Sequence, residues 1–169
     1  MREMAKAKLS PELCYMAGLM DKGAGEKSEV CITTNFEEVE QRFLEIAVKN
    51  LGIKPNRIVI EEKEGGLRRV LFYHSRIAKA LRGISENSNR IFIRRNELSA
   101  AYVAGLFDAM GHANRNGVYM RRMDPRTALL LEQLGIHTRE NRIAGVGSFM
   151  ELVKGQSMLA SRILGTPAL

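Results

Sequence analysis

Several features that would place this chain in a well-defined class are absent from its sequence. No apolar stretch approaches the roughly 18 residues that a membrane-spanning helix needs. The N-terminus has neither an uncharged apolar segment nor a small-residue cleavage site. The sequence also lacks a P-loop, a dinucleotide-binding glycine fingerprint and a Ser-His-Asp arrangement. We therefore expect a cytoplasmic protein without a membrane partner.

Cysteine and histidine are too few and too scattered to predict a metal site. Cys14 and Cys31 lie in separate apolar segments without C-x-x-C spacing, a pattern typical of buried reduced thiols. The histidines are His74, His112 and His137, and only His112 lies near a repeated segment. We expect no bound metal and no cofactor.

The chain has the composition of a globular protein with a basic surplus. Of its 169 residues, 45% are hydrophobic and 27% are charged, which is enough for a substantial core. The formal net charge is +7, and residues 1–88 carry 15 basic and 13 acidic side chains against 11 and 6 in residues 89–169. This balance favours a polyanionic partner, and phosphate backbones are the commonest such partner.

One segment of the sequence occurs twice. From Tyr15 and from Tyr102 onward, five of nine positions are identical: Tyr15/Tyr102, Ala17/Ala104, Gly18/Gly105, Leu19/Leu106 and Asp21/Asp108. A Leu-Gly-Ile tripeptide followed by Asn-Arg-Ile comes after both copies, in the same order. The sequence therefore predicts an internal duplication, with repeats at 1–88 and 89–169 forming one pseudo-symmetric unit.

Hydrophobic periodicity and the positions of capping residues, glycines and prolines predict the same element order, αβαββα, in both repeats. In the first repeat we expect helices over 10–22, 36–50 and 77–84, and strands over 29–34, 57–62 and 67–74. In the second we expect helices from 96 or 99 to 111, over 126–134 and from 149, a strand over 118–123 and a short hairpin near 141–146. The fold class is α+β.

The repeated helix carries adjacent small residues, Ala17-Gly18 in one copy and Ala104-Gly105 in the other. Glycine inside a helix costs roughly 1 kcal/mol relative to alanine, so its presence in both copies indicates a packing requirement. Small side chains let a partner backbone approach closely. We therefore predict that the two helices pack against each other at a pseudo-two-fold axis.

The segments MAGLMDKGA at 16–24 and VAGLFDAMG at 103–111 resemble the two LAGLIDADG motifs of single-chain homing endonucleases and maturases. The resemblance extends over nearly the whole chain, because the following elements also occur in the family's order. It implies a saddle of two antiparallel sheets that straddles duplex DNA, with the motif helices at its centre. It also implies an acidic residue at the eighth position of each motif, where it holds a divalent metal ion.

Both of those acidic residues are missing here. The eighth positions are Gly23 and Met110, neither of which binds Mg²⁺, a hard cation that takes oxygen ligands. Asp21 and Asp108 match the sixth positions and are the remaining candidate catalytic carboxylates. Mg²⁺ is expected only if these displaced ligands still support cleavage.

The resemblance implies that side chains on the open face of each sheet contact nucleic acid. Arginine suits this role because its planar guanidinium group can donate two hydrogen bonds to one phosphate or one guanine. The predicted contact residues are Arg68, Arg69, Arg94, Arg95, Arg115, Tyr119, Arg121 and Arg122. Glu61, Glu62 and Glu64 crowd the first predicted hairpin and would repel phosphate, which predicts weaker binding by the first repeat.

Three functions compete on this evidence. The first is a monomeric DNA- or RNA-binding protein without cleavage activity, acting as an RNA-folding or splicing cofactor, a ribosome-associated protein or a regulator. The second is an active Mg²⁺-dependent, site-specific DNA endonuclease that uses displaced ligands. The third is a protein-interaction module on the same fold, which the acidic first hairpin would favour and salt-sensitive nucleic-acid binding would exclude.

Overall fold

Two antiparallel sheets, each backed by helices, are joined through a pair of packed helices. The computed structural model describes residues 8–21 and 26–165. The first half contains α1 (Pro11–Leu19), β1 (Glu29–Thr34), α2 (Glu37–Glu45), β2 (Val59–Glu62), β3 (Arg68–Tyr73) and α3 (Ser75–Glu86), and α4 (Ser88–Ile91) follows it. The second half contains α5 (Glu97–Met110), β4 (Gly111–Asn114), β5 (Gly117–Met120), α6 (Pro125–Gln133), β6 (Thr138–Arg139), β7 (Arg142–Ile143), α7 (Val146–Val153) and α8 (Met158–Leu164).

The helix starts follow from the capping residues. Ser10 accepts a hydrogen bond from the Leu13 amide at 3.2 Å and starts α1, with a proline in its first turn. Asn96 accepts from the Ser99 amide and starts α5 in the same way. The helix predicted over 36–50 is present as α2 followed by a π-helical turn at Ile46–Asn50.

The two sheets share one strand order. The first sheet is ordered β1-β3-β2, and the second is ordered β4-β5-β7-β6, so that β5, β7 and β6 repeat the order and antiparallel pairing of β1, β3 and β2. The duplicated α+β architecture predicted from the sequence is therefore confirmed.

Three expected boundaries in the second half are wrong. The single strand expected over 118–123 is instead the hairpin of β4 and β5, in which β5 ends at Met120 and Arg122 adopts a left-handed φ of 53°. The last hairpin begins at Thr138, before the expected 141, because Glu140 with φ of 53° and Asn141 form its turn. Helix α7 begins at Val146 rather than at 149, and α8 follows it.

Helices α1 and α5 approach so closely that a methyl group would not fit between them. An added Cβ on Gly18 would lie 2.2 Å from the carbonyl oxygen of Tyr102, and one on Gly105 would lie 2.1 Å from that of Tyr15. Each glycine therefore faces the backbone of the opposite helix at a pseudo-symmetric position. Ala17 and Ala104 are fully buried beside them.

A continuous core extends from this helix pair into both halves. It includes Phe43 and Phe72 in the first half and Phe107 and Phe149 in the second, each pair in ring contact. Cys14 and Cys31 are buried free thiols, as expected. None of the helices in residues 8–21 and 26–165 is long and apolar enough to cross a membrane.

We predict that Gly18→Ala lowers the free energy of unfolding by about 3 kcal/mol, because the new methyl group meets backbone atoms that cannot move independently of their helix. Gly147→Ala is the matched control, since its added Cβ has no neighbour within 4 Å. Denaturant unfolding followed by circular dichroism measures both. Equal midpoints for Gly18→Ala and the unaltered protein would contradict the close helix contact.

Candidate nucleic-acid interface

The two motif helices end differently. Helix α1 ends at Leu19, earlier than the expected 22, because Met20 is extended and the Asp21 amide donates to the Cys31 carbonyl at 2.8 Å. Helix α5 continues through Met110, so Asp108 is still helical where its counterpart Asp21 is not. The same motif position therefore has two different environments.

Asp108 is a buried hydrogen-bond acceptor that joins three elements. Its carboxylate accepts from the hydroxyls of Tyr15 at 2.6 Å and Ser157 at 2.5 Å, and from the backbone amides of Met158 at 2.9 Å and Leu159 at 3.0 Å. Its exposed fraction is 4%. Tyr15 belongs to α1 and the other donors to the start of α8, so Asp108 ties the two motif helices to the C-terminal helix.

The pKa of Asp108 reflects this burial. Removal from water raises the pKa, and the hydrogen bonds from Ser157, Tyr15, Leu159 and Met158 oppose that rise because they favour the charged form. The neighbouring carboxylate and burial also hold the pKa of Tyr15 well above its usual range, which keeps that hydroxyl a donor. Asp108 therefore has a structural role, since its oxygens are already engaged.

Asp21 lies closer to solvent. Its carboxylate accepts from the Thr33 hydroxyl at 3.0 Å and contacts the Cys31 thiol at 3.8 Å, both on β1. Burial raises the pKa of Asp21, and Thr33, Cys31 and Arg69 oppose that rise. Asp21 and Asp108 therefore have different hydrogen-bond partners.

The side chains at the two eighth motif positions offer no oxygen ligand to a divalent metal ion of the kind the resemblance implies. Met110 offers a partly buried thioether that packs against the core, and Gly23, which lies outside the described residues, has no side chain. No group of three histidine, cysteine or acidic residues among residues 8–21 and 26–165 is arranged to hold a metal.

The open face of the second sheet carries a row of aromatic and basic side chains. The strand register aligns His112 with Tyr119, Tyr119 with Arg142, and Arg142 with Arg139. Alternation places these four side chains opposite the buried Val118 and Ile143. The rings of His112 and Tyr119 stack at 5.1 Å, and both arginines are exposed.

Arg121 extends this row at the end of β5. It is exposed, and its amide donates to the Met110 carbonyl at 2.8 Å, which places it beside the end of α5. Arg115 is exposed in the turn between β4 and β5. In the part of the chain that the structure describes, Arg115, Arg121, Arg139 and Arg142 make no salt bridge. Their guanidinium groups are available to an external anion.

The open face of the first sheet is different, because its arginine is paired. Arg69 donates to Glu29 and, at 3.2 Å, to Glu61, and the Tyr73 hydroxyl also contacts Glu29 at 3.3 Å. Glu29 is only 6% exposed. These contacts form an internal ion-pair network on this face of the sheet.

Arg68 lies on the opposite face from Arg69. Strand alternation places Arg68 on the same side as the buried Val70 and Phe72, and it pairs with Glu40 of α2 at 3.2 Å. Arg68 and Arg69 are both predicted contact residues, but adjacent strand residues alternate between faces, so only one of them lies on the open face. The structure therefore does not bring them together.

The remaining predicted contact residues lie apart from the sheets' open faces. Arg94 and Arg95 are in the segment between α4 and α5, where Arg95 donates to the Ser148 hydroxyl at 2.7 Å and to its carbonyl at 2.8 Å. Arg122 is exposed in the turn after β5. Sequence reasoning missed Arg139 because the hairpin was expected to begin after it, and Arg142 was not singled out although it lies inside the expected hairpin.

Comparison with known proteins establishes the class of fold. No model of a known protein family matches the chain, and no curated protein matches its sequence. Among solved structures, the chain is similar to the homing endonuclease I-DmoI, which has the LAGLIDADG fold. At identities below 25% this similarity concerns the fold.

Two individual comparisons with I-DmoI have a TM-score of 0.61. A variant bound to its target DNA in the presence of manganese is 16% identical, over 89% of this chain and 96% of that chain. I-DmoI in complex with DNA and calcium is 15% identical, over 92% and 97%. Full-length DUF199/WhiA from Thermotoga maritima has a TM-score of 0.59 and 14% identity, over 96% of this chain and 62% of that chain.

We predict that Asp108→Asn lowers the free energy of unfolding by about 2 kcal/mol. The new amide NH₂ group is a hydrogen-bond donor, and it would lie opposite groups that now donate to a carboxylate oxygen. Asp21→Asn, at the same motif position in the first half, should cost less than about 1 kcal/mol, since its side chain is partly exposed. Denaturant unfolding of the two variants tests this difference. Equal losses would argue against a structural role specific to Asp108.

Proposed function

We propose that this chain binds duplex DNA through the open face of its second sheet and does not cleave it. The observation that carries the proposal is the row of His112, Tyr119, Arg142 and Arg139, whose arginines have no carboxylate partner among the described residues. Guanidinium groups on an open sheet face can contact both phosphates and base edges.

The fold supports duplex DNA as the ligand. I-DmoI, whose fold this chain shares, was solved in complex with its target DNA. The basic surplus of the second half adds long-range attraction for a phosphate backbone. RNA uses the same arginine chemistry and is therefore the competing ligand in the test below. A duplex binder of this kind would act as a regulator, and an RNA binder as a folding, splicing or ribosomal cofactor.

The absence of cleavage rests on the motif helices. Phosphodiester cleavage with metal ions needs oxygen ligands that position the metal and neutralise developing charge. The I-DmoI complexes contain manganese or calcium ions with DNA. In this chain Met110 and Gly23 supply no such oxygen, and Asp108 is occupied by four hydrogen-bond donors.

We predict that Arg142→Ala and Arg139→Ala each weaken duplex binding about tenfold at moderate salt, because each removes one charge-assisted contact. Arg126→Ala is the matched control, since it removes the same charge from the exposed first turn of α6. Fluorescence anisotropy with a duplex and with a structured RNA measures affinity, and gel analysis of the same samples with and without Mg²⁺ detects cleavage.

Each outcome of that experiment has a distinct meaning. Salt-sensitive duplex binding that falls in the two sheet variants and leaves the DNA intact supports the proposal. Preference for RNA would show that the ligand is RNA and not duplex DNA. Mg²⁺-dependent cleavage that is abolished by Asp21→Asn would establish the endonuclease alternative. No binding to either nucleic acid would favour a protein-interaction module.

A further inference from the structure

We infer that the protein contacts duplex DNA with its second half alone, so that the recognised element is a single half-site. This inference rests on the proposed function and specifies the ligand of the same surface. A fold with two equivalent sheets would ordinarily present two binding faces. The charges on the two open faces differ enough that only one of the faces can bind DNA.

Among the residues that the structure describes, the first open face has little positive charge to offer a phosphate. Glu29, Glu61 and Asp21 are on or beside it, and the arginine of its strands, Arg69, is held between two of these carboxylates. Lys63, at the end of the hairpin, is also paired with Glu61 at 3.4 Å. A phosphate approaching this face would meet three carboxylates, and the cations paired with Glu29 and Glu61 are already engaged.

Releasing Arg69 for DNA would also be costly. Glu29 is almost fully buried, so the loss of its guanidinium partner would leave an uncompensated charge with little access to water. The Tyr73 hydroxyl alone cannot replace the ion pair. The network therefore stabilises the first sheet and at the same time keeps its arginine from an external ligand.

The second open face carries exposed positive charge instead of paired charge. Arg121, Arg139 and Arg142 are exposed, and the strand register places no acidic side chain in the row from His112 to Arg139. Glu140, in the turn between β6 and β7, is the nearest acidic residue along the chain. This face can accept several phosphates without breaking an internal ion pair.

The size of the row sets the length of the half-site. Four adjacent strands separated by about 4.8 Å span roughly 14 Å from His112 to Arg139. Base pairs in duplex DNA are about 3.4 Å apart, so this row covers about four base pairs directly. Arg115 and Arg121, at opposite ends of β5, extend the contact along the strand. A duplex of about 12 base pairs should therefore contain the whole contact.

The salt dependence of binding distinguishes one-sided from two-sided contact. The slope of log affinity against log salt counts neutralised phosphates at roughly 0.9 per contact. We expect the same slope for duplexes of about 12 and about 24 base pairs, since lengthening the DNA adds no contact on the first half. A slope that rises by several units with the longer duplex would overturn the inference.

A matched pair of variants locates the contact. Arg142→Gln should lower the slope by roughly 0.9, whereas Arg69→Gln, which keeps amide donors for Glu29 and Glu61, should leave the slope unchanged on both duplexes. Equal effects of the two substitutions would overturn one-sided binding. Glu61→Gln keeps Arg69 and gives a second test on the first sheet that does not depend on how the sheet tolerates Arg69→Gln, and it too should leave the slope unchanged.

The outcomes also separate this inference from the proposed function. Absence of salt-sensitive binding to either duplex would refute DNA binding itself and the inference with it. Binding with a length-dependent slope would retain DNA binding and refute only the single half-site.

Discussion

The contact between α1 and α5 is the constraint on which the rest of the structure depends. At Gly18 and Gly105 the two helix backbones lie so close together that a methyl group on either glycine would overlap the opposite backbone. This close contact fixes the distance between the two halves. Asp108 reinforces the contact by accepting a hydrogen bond from Tyr15 across the helix pair and by capping α8 together with Ser157. The carboxylate of Asp108 thus joins both repeated helices to the C-terminal helix.

The two halves share their framework and differ on their surfaces. Strand order and helix pairing repeat, because both depend on buried apolar residues and on the two glycines. The exposed positions are free of that constraint, and they differ in charge. Arg69 is enclosed by Glu29 and Glu61 in one half. In the other, Arg142 lies beside Tyr119 and Arg139 beside Arg142, and neither arginine makes a salt bridge to a residue that the structure describes.

The sequence predicted the repeated features well and the long-range ones poorly. The capped helices, the strand Glu29–Thr34 and the helix pairing follow from local signals such as Ser10-Pro11 and the Ala-Gly steps. Strand β4 was missed because Gly-His-Ala-Asn has no β-branched residue. The role of Asp108 depends on Ser157, 49 residues away, which no local pattern connects to the motif. Alternation separates Arg68 from Arg69 in the sequence, but which of the two lies on the open face follows only from the structure.

The central claim is that the two halves share one framework but that only the second half carries a DNA-binding face. A two-dimensional amide NMR titration of the full chain with a duplex of about 24 base pairs tests this claim most directly. The account predicts that the signals of β4, β5, β6 and β7 shift with added DNA, while those of β1, β2 and β3 stay in place. Comparable shifts in both sheets, or shifts confined to the first, would contradict it.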